Sequence, residues 1–242
     1  MKAKRIRVKN SVEAWERLNE MLSFEGDKVI EQGGYIRGNQ TFLYFTDIEI
    51  ARIKADPEFD FGLLCGYTNY KWTSLVNNYL DFAALEELKR EVNGYDKDGQ
   101  EYYSTFMNFI NTSKQGHSCL MSLSCVRYTL KGERMVIVNT RATEATKRFL
   151  MDLVLVQRIV EYIYGTNKIK VFFHALYSFV TPECAVMYHN HKNVFDLCKA
   201  APKSENEVVT KWVNTVEKTL KDLLSVDADT VKYKVMKRAV NQ

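Results

Sequence analysis

Apolar residues recur at three- and four-residue intervals at Val12, Trp15, Leu18 and Leu22, which places them on one face of a helix that Ser11 is positioned to cap. The turn-rich stretch from Gln32 to Thr41 then leads into Phe42–Thr46, where aromatic and β-branched residues favour a strand, so a glycine-rich loop carries Arg37 to a sheet edge. The spacing predicts a helix from Tyr70 to Val92, with Phe82, Leu85, Leu88 and Val92 on one stripe and Asn93-Gly94 as its stop. The segment after it is polar and reads as a loop. Ser118–Leu130 and Arg134–Asn139 read as two strands joined across Lys131, Gly132 and Glu133, with the glycine free to take the positive φ of a hairpin turn. Glu144–Tyr164 is the longest apolar helix, closed by Gly165; Lys168–Phe173 returns as a strand, and a short one is expected over Glu183–Tyr188. A capping box at Ser204–Glu207 opens a C-terminal helix with Val209, Trp212, Val216, Leu220 and Leu223 on one stripe. Strands that are not regularly separated by helices indicate the α+β class, a mixed sheet packed with helices.

Composition narrows the class without changing this outline. The chain has 242 residues, 46% hydrophobic and 26% charged, with only 3 Pro and 11 Gly, enough apolar side chain for a sizeable core. No repeat, low-complexity tract or long linker divides it, so a single domain over residues 1–242 is expected. A disordered, collagen-like or disulfide-stapled chain is excluded. No apolar run could span a bilayer and the start lacks a signal-peptide core, so a cytoplasmic protein with no membrane partner is expected. The net charge of +4 is too mild to announce nucleic acid, and the basic start (Lys2, Lys4, Arg5, Arg7, Lys9) reads as a solvated terminus. Five cysteines without paired spacing fit reduced thiols in a reducing compartment.

Three positions carry candidate chemistry. Asp152 shares a helix face with Phe149, Leu155 and Val156, so an acid stands among core residues; either a base such as Arg148 neutralises it or it lines a polar pocket. Arg141 stands at a strand end just before that helix, where a guanidinium can bind a phosphate or carboxylate in bidentate fashion, or serve simply as a surface charge. Cys119 follows Gly116-His117-Ser118 at a strand start, where a thiol is either a small core residue or a nucleophile whose pKa neighbouring cations lower. His189 and His191, with Cys184 and Cys198, match no closed zinc pattern, and no metal is expected. The chain has no Gly-rich phosphate loop, dinucleotide fingerprint or nucleophile elbow.

In order, these segments resemble the thymidylate synthase superfamily, which includes the phage deoxycytidylate hydroxymethylases. That family runs from an N-terminal helix through an Arg-bearing loop to a catalytic Cys, a hairpin, an Arg-Ser-x-Asp turn, and a helix with the base-reading Asn or Asp. Here the order appears as Arg37–Thr41, Cys119, the hairpin over Gly132, Arg141–Glu144 and Asp152, with Asp152 eleven residues after Arg141, as in the family. His174 and Tyr177 resemble the strand that holds the sugar hydroxyl, and Trp72 resembles a tryptophan beside folate and base. The chain departs from the family in Ser118-Cys119-Leu120, where Pro-Cys-His is usual, and in a Cys-to-Arg spacing of 22, about two longer; Ser122 and Cys125 therefore compete with Cys119. It also lacks the arginine pair that the partner subunit lends to the phosphate, and the helix with the folate-side glutamate.

The resemblance implies a thymidylate synthase-like fold and a homodimer, located in the cytoplasm of the host if the source is viral. It implies C5 methyl or hydroxymethyl transfer from 5,10-methylenetetrahydrofolate to a pyrimidine nucleoside monophosphate, dCMP foremost. Cys119 would be the nucleophile, Arg37 and Arg141 the phosphate ligands, Asp152 the base reader, and Tyr177 and Trp72 the sugar and base contacts. Two other classes remain: a non-catalytic relative that keeps the nucleotide pocket or an assembly surface, and, least favoured, a nucleic-acid-binding protein using the basic start.

Overall fold

The computed structural model describes residues 4–29, 40–53, 79–94, 104–109, 119–126, 133–146 and 148–180, with the side chains of 23–25, 27–29, 40 and 41 excepted. The expected elements at 183–188 and from 204 onward, the hairpin turn over Gly132, Arg37 and Trp72 lie outside these residues. In chain order the elements are β1 (Lys4–Val8), α1 (Ser11–Glu25), β2 (Asp27–Val29), β3 (Gln40–Ile50) and α2 (Phe82–Asn93). They continue with β4 (Ser104–Asn108), β5 (Leu120–Val126), β6 (Met135–Glu144), α3 (Arg148–Tyr164) and β7 (Lys170–Val180). The architecture is α+β: one mixed sheet in the order β1-β3-β7-β6-β5-β4, with β2 paired to the start of β3.

Several expectations are corrected. From Lys4 to Val8 the basic start is a strand parallel to β3, at the edge of the sheet among the described residues, not a solvated tail: Ile6 points into the core, while Arg5 and Arg7 lie outside beside Glu49. Those exposed ion pairs contribute little, so the ladder and Ile6 hold the strand. Asn10, not Ser11, caps α1 by accepting the Glu13 N–H, and Ser11 is buried. The helix expected over Tyr70–Val92 is interrupted at Leu80 and Asp81, where Asp81 leaves the helical path and accepts the N–H groups of Ala83 and Ala84, so that α2 opens at Phe82; its first part, residues 70–78, lies outside the described residues. Part of the polar segment after it forms β4, paired to β5. Glu144 ends β6 instead of opening α3, which puts Arg141 inside a strand.

Val12, Trp15, Leu18 and Leu22 of α1, Leu85, Leu88 and Val92 of α2, and the apolar side of α3 join one core with Ile6, Leu43, Ile48, Val138, Val171 and Phe173 of the sheet. Phe149 of α3 meets Phe173 of β7 edge-on at 5.6 Å between ring centres. β6, α3 and β7 form a crossover unit joining two neighbouring parallel strands, which fixes α3 over this face. Gly165, with φ +67°, stops α3 in the left-handed conformation that glycine tolerates. No described helix packs on the other face, where Tyr44, Phe45, Phe106, Met121 and Leu176 are exposed.

The in-out alternation inverts along one line across the sheet. In β3 the core-facing positions pass from Leu43 to Thr46, Ile48 and Ile50; in β7 they pass from Val171, Phe173 and Ala175 to Ser178 and Val180. Even spacing has become odd, which a regular strand does not allow. The ladder between β3 and β7 skips the position of Phe45 and Leu176, that between β6 and β7 skips Arg141 and Leu176, and that between β5 and β6 is shifted at Met121. Phe45, with φ 51°, is the one non-glycine residue with positive φ among the described residues, a conformation costing about 1–3 kcal/mol.

Candidate active site

The entry to α3 is built from polar groups that α1 holds. Both carboxylate oxygens of the buried Glu144 are committed, accepting the N–H of Thr146 at 2.8 Å and of Arg148 at 3.1 Å, which places negative charge at the helix N-terminus. Trp15 donates its indole N–H to the Thr146 carbonyl, and Asn19 donates to the Ala145 carbonyl while accepting from the Thr146 hydroxyl. This clamp fixes the first turns of α3, and with them Asp152.

Asp152 is 7% exposed among the apolar residues of α3. Burial pushes its carboxyl up to about 7; the Arg148 guanidinium and the Thr143 hydroxyl, which falls short of a full hydrogen bond, pull it down, while Glu144 pushes it up. Cys119 lies half-buried just ahead of β5, its carbonyl accepting the Arg141 N–H at 2.7 Å. Burial raises the Cys119 thiol above its ordinary range and the Asp152 charge adds to this, whereas the charge and hydrogen bond of Arg141, then the charge of Arg148, lower it. The two acids are therefore linked: a proton on Asp152 removes a charge that opposes the Cys119 thiolate.

Tyr79 belongs to the same group. Its phenol is raised by burial and by the charges of Cys119 and Asp152, and lowered by a hydrogen bond from the Cys119 backbone and by Arg148. Its ring meets Phe109 edge-on at 6.4 Å, and Phe109 is tied to the Met121 carbonyl. A single tyrosine two residues before a helix cap carries no periodic signal, which is why sequence reasoning passed over it.

Of the residues singled out in the sequence, Cys119, Arg141 and Asp152 come together. Tyr177 does not join them: its ring packs with Phe42 and Phe179 at 6.0 Å on the face away from α3. Among the competing nucleophiles, Cys125 is fully buried with its thiol pushed up to about 12 by burial. Ser122 accepts a hydrogen bond from Asn139 in a row on the side where no described helix packs. Among the described residues no cluster of three or more His, Cys, Asp or Glu could hold a metal ion, and no helix is long and apolar enough to cross a membrane. No protein-family model matches the chain, and no curated protein matches it. The site thus offers a thiol, a guanidinium touching it, and a buried carboxyl that exchanges its proton near neutrality.

Proposed function

We propose that the chain is a thymidylate synthase-like pyrimidine nucleoside monophosphate C5 methyl- or hydroxymethyltransferase, acting on dCMP. The observation that carries this reading is the convergence of Cys119, Arg141 and the proton-sharing Asp152 on one side of the sheet. Asp152 accepts the cytosine amino hydrogen, and the proton it retains near pH 7 faces N3. The Cys119 thiolate adds to C6 of the ring: an S–C6 bond forms, the C5=C6 π pair moves onto C5, and C5 becomes a nucleophile. Arg141 favours the thiolate, and with Arg37 it would bind the 5′-phosphate. The one-carbon unit would come from 5,10-methylenetetrahydrofolate. Trp72, which the resemblance sets beside the folate, lies outside the described residues, and the chemistry derived for this chain ends at the pyrimidine. The sheet face on which no described helix packs supports a homodimer, since a face with five exposed large apolar side chains among the described residues is stabilised by cover.

The decisive experiment is release of the C5 hydrogen from dCMP, dUMP and CMP with and without methylenetetrahydrofolate. Folate-dependent release from dCMP that falls by more than about a thousandfold in Cys119→Ser supports the reading. A second reading, a non-catalytic nucleotide-binding relative, is favoured by a thiol that burial keeps protonated at rest. It gives dCMP binding that Cys119→Ser leaves intact and no hydrogen release in the wild type.

A further inference from the structure

We infer that Phe45 is a positioning residue for the Cys119–Arg141 pair, holding from the sheet face on which no described helix packs the inversion that turns Arg141 inward. The argument begins with parity along β6. Val136 and Val138 point into the core, whereas Asn139 belongs to the opposite face, where it donates to Ser122 and lines a cavity of about 420 Å³ with Asp47, His174 and Phe45. An uninterrupted strand would send Arg141, two residues beyond Asn139, to that same face. Instead its guanidinium reaches Cys119 on the helix side. The site therefore exists because the alternation inverts between Asn139 and Arg141.

The inversion is a property of the sheet and not of β6 alone. Phe45, Leu176 and Arg141 occupy the same interrupted line, and the shift at Met121 extends it to β5, where the Arg141 N–H reaches past to the Cys119 carbonyl. Along this line Phe45 at 51%, Leu176 at 50% and Met121 at 46% are exposed on one face, while the Arg141 side chain hydrogen-bonds Cys119, which is within reach of Asp152 and Arg148 of α3. Only at Phe45, among the described residues of these strands, does the backbone enter the left-handed region. A backbone in that region cannot continue the regular pleat, so it commits β3 to the break that β7 and β6 then share. The inference deepens the proposed site, but its test needs no nucleotide, so a failure of the proposed reaction and a failure of this inference are read separately.

The test is the pH dependence of Cys119 alkylation by iodoacetamide, followed by peptide mass mapping, in the full chain. Phe45→Gly removes the ring but keeps positive φ accessible; Phe45→Val excludes it, because a β-branched residue is strongly disfavoured there. The expected result is a profile moved to higher pH in Phe45→Val, with alkylation at pH 7.5 slowed about tenfold, and a Phe45→Gly profile within about twofold of wild type. Arg141→Gln should reproduce the slow profile, and combining it with Phe45→Val should add nothing, since both act through one guanidinium. Phe106→Ala, which removes an exposed ring from the same face away from the line, should leave the profile unchanged. If Phe45→Val does not fold, Phe45→Ala replaces it, with a shift expected to exceed that of Phe45→Gly. An unchanged profile in the valine or alanine variant, equal shifts in the glycine and alanine variants, or full additivity with Arg141→Gln would overturn the inference.

Discussion

The two faces of the sheet are built from the same strands and differ in what they are for. The covered face is a largely apolar core that holds the buried acid Asp152, whose neighbours supply the candidate chemistry. The other face carries a polar row crossing five strands, Asp47, His174, Asn139, Ser122 and Asn108, beside exposed Phe45, Leu176 and Met121. In this row His174 Nδ1 and Asp47 Oδ1 are 2.6 Å apart. A polar row within an apolar surface suits a contact that must be specific as well as adhesive, because buried polar groups tolerate only a register that pairs them. On the covered side the buried polar groups, such as Thr46, Ser178 and the Asn19–Thr146 pair, are set among apolar residues; on the open side polar groups form a continuous row across the strands.

The largest expected effect sharpens this contrast through packing alone. Phe173→Ala, on the covered side and 1% exposed, should lower unfolding stability by about 3–5 kcal/mol, because a cavity opens against Phe149. Phe106→Ala on the open side, 63% exposed, should cost the isolated chain less than about 0.5 kcal/mol. Urea denaturation at low protein concentration measures both. Comparable losses would mean that the described helices are not what separates the two faces.

Next comes the pH dependence that the buried acid imposes. Asp152 has its carboxyl raised from 3.8 to about 7, so between these values the native state holds a proton that the unfolded chain has released. Stability therefore falls as pH rises from about 4 to 7, and stays lower above it. Asp152→Asn removes this contribution and should stabilise the protein at pH 8 by roughly 2 to 4 kcal/mol, with little gain at pH 4. Denaturant midpoints across that range check it; a gain that does not vary with pH would assign the effect to packing instead.

The covered side was also the more legible in sequence, for a physical reason. The 3.6-residue period of α1 and α3 records a single buried stripe, and Val12, Trp15, Leu18, Leu22, Phe149 and Val156 all enter the core. β3 and β7 were read short, because the inversion at Phe45 and Leu176 breaks the period-two signal across each strand. β1 was hidden because an edge strand carries charge where an inner strand carries apolar residues. At the site, Arg141, Asp152 and Cys119 were linked only through the resemblance, which their order and the eleven residues from Arg141 to Asp152 carried. Tyr79 could not be linked in this way, because its membership depends on a contact between segments forty residues apart.

The open face can be challenged directly. If it is closed by a second copy of the chain, Leu176→Glu places a charge within the contact and should weaken self-association by about ten- to a hundredfold, leaving the monomer's own stability nearly unchanged. Sedimentation over a micromolar concentration series reads the shift. A wild type that remains a monomer throughout would leave the open face without this role and would remove a main support for the thymidylate synthase-like reading.

The smallest expected effect concerns selectivity on the covered side. Uracil presents an N3 donor and an O4 acceptor, which a carboxamide meets with its own oxygen and amino group. Cytosine reverses the pair, presenting an amino donor and an N3 acceptor, so an acid that shares its proton near pH 7 can accept from the one and donate to the other. Leaving one of these groups unpaired in a buried site costs about 1 to 3 kcal/mol, a preference of roughly ten- to a hundredfold. Wild-type protein should therefore bind dCMP ahead of dUMP by that margin, and Asp152→Asn should shift the ratio toward dUMP. Calorimetric titration at pH 7 with both nucleotides measures the ratio. A carboxyl that only sits in the core would leave the ratio the same in both proteins, so an unchanged ratio would reduce Asp152 to a buried acid paired with Arg148 and take the cytosine specificity out of the proposed function.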